Sequence, residues 1–191
     1  MSTQTCVRAG LLALLAASLG GCLTGQKDGE GTLLAMSNGP WLVYSDPWVG
    51  TPMAGTPNPI TTTLNGTATA VEIAGWMKLT LDLAGLPPNR AFGSHLHKLE
   101  CTDPTKAGGH YENEMWPATT TSSDPMYANP TNEAWLDFET DENGNATSST
   151  SVNWIPRAGG AKAIIIHAMK TSLQPQGGLA GVKLACLPIT F

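Results

Sequence analysis

The sequence predicts an all-β protein, a sandwich or flattened barrel of short strands joined by long loops. Three observations predict it. Glycine and proline are abundant, 21 and 14 in 191 residues, and Thr, Ser, Val and Ile recur in short runs. Several stretches alternate apolar and polar side chains, or form brief apolar runs, and turn residues bound each one. No stretch carries helical periodicity over a helix's length, and no internal repeat is present. The length suits one domain able to bury roughly 70% of its unfolded surface.

The N-terminal segment is set apart from this pattern. Arg8 precedes "LLALLAASLGG", an apolar core that ends in small residues and is too short to span a bilayer. Leu19-Gly20-Gly21-Cys22 resembles the bacterial lipobox. Residues 1–21 are therefore expected to be a lipoprotein signal peptide and Cys22 the lipidated residue. The alternative is an ordinary signal peptide that happens to contain a cysteine. Residues 22–32 are polar and read as a tether, leaving 33–191 as the folded domain. The expected location is the cell envelope, lipid-anchored at Cys22, either at the outer membrane facing the periplasm or at the cell surface. Removing Arg8 with the signal takes the formal charge from -5 to -6. With 13% charged residues and an acidic balance, the chain lacks the basic face that nucleic acid requires.

Export changes what the cysteines mean. Cys6 leaves with the signal and Cys22 takes the lipid, so Cys101 and Cys186 remain in an oxidising compartment. One long-range disulfide is the simple expectation; two free thiols or metal ligands are the alternative. Closing a loop of about 85 residues would stabilise by about 4 to 5 kcal/mol in the chain-entropy model.

The strands follow in order. Residues 45–62, "SDPWVGTPMAGTPNPITT", are rich in Pro and Gly and read as irregular. In "GWMKLTLDL", Met77, Leu79, Leu81 and Leu83 alternate with Lys78, Thr80 and Asp82, the period of a half-buried strand. "AGLPPNR" breaks it and "AFGSHLH" starts another. "AWLDFETDENGNATSSTSVNWI" reads as a hairpin, with Leu136 and Phe138 on one arm and Asn143-Gly144 at the turn. "AKAIIIHAM" is a short apolar run typical of a central strand, and "GVKLACLPITF" closes the chain. Residues 98–114 and 117–132 read as long loops.

The histidines carry the chemistry. There are four, and three of them fall in "GSHLHKLECTDPTKAGGHY". His95 and His97 stand at i and i+2 on an expected strand, so their imidazoles share one face and form a chelating pair. His110 follows a glycine pair that lets the backbone turn back towards them. His167 lies within the apolar run, where a histidine is otherwise a hydrogen-bonded core residue. Four imidazoles without an obvious carboxylate point to copper, less readily to zinc, and not to Ca²⁺ or Mg²⁺.

The order "GSHLH", Cys101, "AGGHY", "AIIIHAM" and "GGLAGVKLAC" resembles the Cu/Zn superoxide dismutase family, from about residue 63 to the C-terminus. The resemblance implies a Greek-key β-sandwich. It implies copper held by His95, His97 and His167, with His110 in the place of the family's copper–zinc bridging histidine. It also implies a disulfide between Cys101 and Cys186. Three departures matter. The loop after His110 contains no histidine, which argues against a zinc site, and Glu133 falls one residue from the family's zinc aspartate. "AMKTSLQPQ" is far shorter than the family's substrate-guiding loop. Lys183 stands where the family has its active-site arginine, a point charge without the planar fork.

These departures fit copper-only relatives, so the expected function is copper-dependent dismutation of superoxide to O₂ and H₂O₂ without zinc. His110 and Lys183 are the catalytic candidates. Without zinc, the second nitrogen of His110 needs a new partner, with Glu112, Glu114 and Glu133 as candidates. Lys183, joined by Lys98 or Lys170, would supply positive potential for superoxide. A non-enzymatic copper-binding lipoprotein is the alternative, with Met169 near His167 its only methionine hint. A three-histidine zinc hydrolase lacks a recognisable general base. A blue-copper carrier fails because neither His nor Met follows Cys186. The oligomeric state is not legible in the sequence.

Overall fold

The computed structural model describes residues 31–45, 58–61 and 63–191. Cys22, the signal peptide, all but the end of the tether, and most of the Pro/Gly-rich segment lie outside the described residues. Within them the protein is all-β, as expected. The strands are β1 (Thr32–Ser37), β2 (Leu42–Val43), β3 (Asn65–Ile73), β4 (Trp76–Ala84), β5 (Ala91–His97), β6 (Phe138–Glu139), β7 (Ala146–Val152), β8 (Ala163–His167) and β9 (Lys183–Pro188). They form two antiparallel sheets, ordered β1-β3-β4-β7 and β2-β9-β8-β5-β6. No α-helix occurs among the described residues.

The sheets pack on an apolar core. From the first sheet come Ala68, Ala70, Met77, Leu79 and Leu81, and from the second Phe92, Leu96, Ile164, Ile166 and Leu184. The alternation in β4 puts Met77, Leu79, Leu81 and Leu83 inward as expected. β3 was not legible as a strand: its inward residues Ala68 and Ala70 are small, so its apolar signal is faint although both are fully buried.

The predicted hairpin needs correcting. Its turn exists, held by Asp141, whose Oδ1 accepts from the backbone N–H of Asn143 and of Asn145. Its arms do not pair with each other. β6 pairs with β5 and β7 pairs with β4. The turn docks on the β4–β5 corner, where Leu86 N donates to Gly144 O. It is a corner between sheets, because the short arm of Phe138 and Glu139 completes one sheet while Ala146–Val152 completes the other.

The second sheet has a further layer. One face of β5 and β8 meets the core, yet all five residues of β8 and all but the first of β5 are buried. Residues 98–111 cover the outer face, bringing Cys101 and Ala107 onto Ala163, Ile165 and Cys186. Cys101 and Cys186 are bonded, with Cα atoms 5.7 Å apart, which fastens this cover to β9.

Candidate metal centre

The register of the second sheet assembles the site. Gly93 pairs with His167, His95 with Ile165 and His97 with Ala163, so His95, His97 and His167 project from the covered face. The chain then folds back: Lys98 N donates to Gly109 O and Tyr111 N to Leu96 O, which sets His110 opposite His97 as an isolated bridge. Gly108 has φ 66°, and a Cβ there would lie 2.8 Å from the Leu99 side chain, so glycine suits this reversal on both counts. The structure thus brings all four predicted histidines together, with one ring nitrogen from each within 4.8 Å of the others.

Hydrogen bonds on the outer side decide which nitrogen faces inward. His97 Nδ1 lies 3.0 Å from Gly108 O and His167 Nδ1 lies 3.1 Å from Gly181 O. A carbonyl oxygen only accepts, so both Nδ1 atoms carry the proton and both Nε2 atoms present lone pairs. His110 Nδ1 donates to Glu133 Oε2 at 2.7 Å, freeing its Nε2. His95 is reversed: Nε2 lies 2.6 Å from Thr171 Oγ1, and Nδ1 is buried with no hydrogen-bond partner. The inward set is therefore three Nε2 atoms and one Nδ1. His97 Nε2 and His167 Nε2 stand 3.2 Å apart. Two lone pairs facing at that distance, beside an orphaned buried nitrogen, are an arrangement that a bound cation satisfies. Each outer nitrogen already has the partner that orients metal-binding imidazoles. The residues fit a metal ion, and an all-imidazole set suits Cu or Zn over oxygen-seeking ions.

The electrostatics agree. Burial holds the pKa of His95 and of His97 well below the ordinary histidine range, with the neighbouring charge of His110 adding to it. His167 is pushed down to about 3, again by burial first and His110 second. The three buried imidazoles are thus neutral, the state that binds metal. His110 is the histidine nearest solvent, its side chain 15% exposed. With His97, Glu112, Trp116, Gly178 and Lys183 it lines a cavity of about 210 Å³.

Of the three carboxylates considered for His110, Glu133 takes the position. Its Oε2 also accepts from Trp135 Nε1 at 2.7 Å. Glu112 pairs with Lys98 at 3.0 Å, and burial raises its pKa against that ammonium's pull. Glu114 is held here through its backbone, its N–H donating to Asn132 Oδ1 and its carbonyl accepting from Asn132 Nδ2. Lys183 lines the cavity, but its ammonium donates to Thr105 O and to Gly108 O, the carbonyl that also orients His97. Burial, then repulsion from Lys106, lowers its pKa to about 8. Lys98 also lies over the Trp116 ring, Lys170 is exposed, and Met169 is 43% exposed and outside the histidine cluster. Sequence reasoning missed Thr171, Asp137 and Trp135, for which no spacing or motif gave a signal.

Fold and site together define a β-sandwich protein with a four-histidine candidate metal site on one sheet. No family model matches the chain, and no curated protein matches it. Among solved structures it is similar to the clock protein EA4, with 21% identity and a TM-score of 0.50. That likeness covers 71% of this chain and 97% of that one, and at this identity it speaks for the fold alone.

Proposed function

We propose that the protein is a copper-dependent superoxide dismutase of the cell envelope that works without zinc. One observation carries this reading: four inward ring nitrogens converge, and every outward one is already hydrogen-bonded to an oxygen. Copper bound there would supply one-electron chemistry, oxidising one superoxide to O₂ and reducing a second, with two protons, to H₂O₂. His95, His97 and His167 are the buried, fixed ligands. His110 is the ligand that opens on the cavity, and it holds a proton at Nδ1 against Glu133. Glu133 thus takes the place on the bridging histidine that the family resemblance gives to zinc. Lys183 sits at the cavity wall as the local positive charge for an anionic substrate.

A lipid anchor at Cys22 and an envelope location belong to the same reading. The Cys101–Cys186 disulfide supports them, since such bonds persist in oxidising compartments. The second reading, a copper-binding lipoprotein without turnover, draws on Lys183: its ammonium is tied to two carbonyls and is only partly charged above pH 8.

The test is metal analysis of the purified protein followed by a superoxide assay on its copper-loaded form. His97→Ala is expected to abolish copper-dependent dismutation. Full activity in that variant would refute the enzyme, and tight copper binding with no turnover in the parent would favour the carrier.

A further inference from the structure

The outer face of the first sheet is apolar at one end. Ala68 and Ala70 of β3 point into the core, so Thr69, Val71 and Ile73 point the other way. Register supplies their neighbours on that face: Leu33 and Met36 of β1 lie opposite Val71 and Thr69, and Trp76 of β4 lies opposite Ile73. On a regular strand Leu33 and Met36, three positions apart, would face opposite ways. A bulge between Leu33 and Ala35 puts both on the outer side. Leu33 and Met36 are each 59% exposed, Trp76 52% and Ile73 41%. Lys78 borders this patch opposite Val71. Asp82 stands six residues beyond Trp76, about 20 Å along the strand, and accepts from the Thr147 hydroxyl. Neighbouring apolar side chains left in the open mark a contact surface.

Where the chain enters the domain indicates what this surface meets. Gly31 lies against the patch: a Cβ there would be 2.6 Å from Ile73 Cγ1 and 3.3 Å from Val71 Cβ. Cys22 is nine residues earlier, a span of at most about 30 Å even when fully extended. A lipid at Cys22 therefore keeps the patch within reach of the bilayer that holds it. Segment 46–57, in contrast, leaves and returns beside β9, where Tyr44 N and Asn58 Nδ2 both donate to Leu184 O. A tryptophan among aliphatic side chains, with a lysine at the margin, suits the boundary between lipid and water. The histidines stand on the outer face of the other sheet, so a domain resting on this patch turns their cavity towards solvent. We propose that Leu33, Met36, Ile73 and Trp76 rest on the phospholipid bilayer that holds Cys22, orienting the domain with its metal cavity facing away. The proposal rests on reading Cys22 as the lipid anchor.

The test reads the anchor and the patch separately. The full chain, expressed with its signal, is reconstituted into phosphatidylethanolamine–phosphatidylglycerol vesicles whose acyl chains carry bromine, which quenches tryptophan in contact with lipid. Mass spectrometry of the same material reads the lipid at Cys22. The parent is expected to be quenched more than Trp76→Phe, the difference being the contribution of Trp76 itself. Leu33→Glu combined with Met36→Glu keeps Trp76 but puts charge into the patch, and should lower quenching to the level of Trp76→Phe. Flotation should still find both variants on the vesicles, since the anchor is intact. Both should bind copper as the parent does, because these side chains are exposed and lie outside the histidine cluster. Equal quenching in the parent and Trp76→Phe overturns the proposal. So does a dimer, seen by sedimentation in detergent, that the double variant dissociates, for the patch then belongs to a second copy. A chain without lipid refutes the anchor reading instead, and the same quenching comparison, with the chain added to vesicles, still decides the patch.

Discussion

The two sheets share one core but treat their outer faces differently. β4 of the first sheet alternates buried and exposed along its length, and Lys78, Thr80 and Asp82 look outward. β5 and β8 of the second sheet are buried on both faces. Covering a second face takes backbone and polar side chains out of water, which is tolerable only where each finds a partner. The buried polar side chains among the described residues accordingly lie on β5, on β8 or on connecting segments, and none lies on the first sheet. The lesson is that the cover makes the site: residues 98–111 bring His110 onto this face, and Trp135 and Thr171 close over His95 from other segments.

The strongest way to break this contrast is to unfasten the cover. Replacing both Cys101 and Cys186 by Ser is expected to lower unfolding free energy by about 4 to 5 kcal/mol in the chain-entropy model. Chemical denaturation measures the total. Hydrogen exchange locates it: amides of residues 98–111 should lose protection more than those of β3 and β4. Equal loss in both sheets would mean that the cover is no separate unit.

The same contrast explains what the sequence discloses. The half-exposed β4 writes its burial as a period of two, and β8 writes double burial as "AIIIH". The four histidines were legible because metal-binding chemistry needs that residue type and the chain has no others. What was hidden depends on long-range register. Asn143-Gly144 announces a turn, but nothing local says that its arms join different sheets. Glu133 was one of three carboxylates open to His110, and only the fold-back of residues 98–110 selects it. Asp137 and Thr171 are 34 positions apart, with side chains that also serve loops and turns, so their meeting has no sequence signature.

Acid should act on the covered face as well, with a smaller effect. His95, His97 and His167 have lowered pKa values in the fold, whereas in the unfolded chain they titrate near about 6.5. As pH falls below that value the unfolded state takes up protons that the folded state refuses, so stability of the metal-free protein falls. For His167 the loss continues until pH nears its folded value of about 3. Each histidine contributes at most about 1.4 kcal/mol per pH unit within its window. Denaturation midpoints between pH 7 and 5 check this, and bound copper should hold the midpoint higher. A flat profile would show that the imidazoles are reached by solvent.

The smallest effect is expected where the first sheet meets water. Thr80 lies on β4 opposite Thr69 and Ser149, on the outward side of the strand between buried Leu79 and Leu81. Thr80→Val keeps the branched shape that strands favour and removes a half-buried hydroxyl. Stability should change by no more than about 0.5 kcal/mol. Copper affinity should not change at all, because the histidines stand on the outer face of the other sheet. A larger loss, read by the same denaturation assay, would mean that something covers this face as residues 98–111 cover the other.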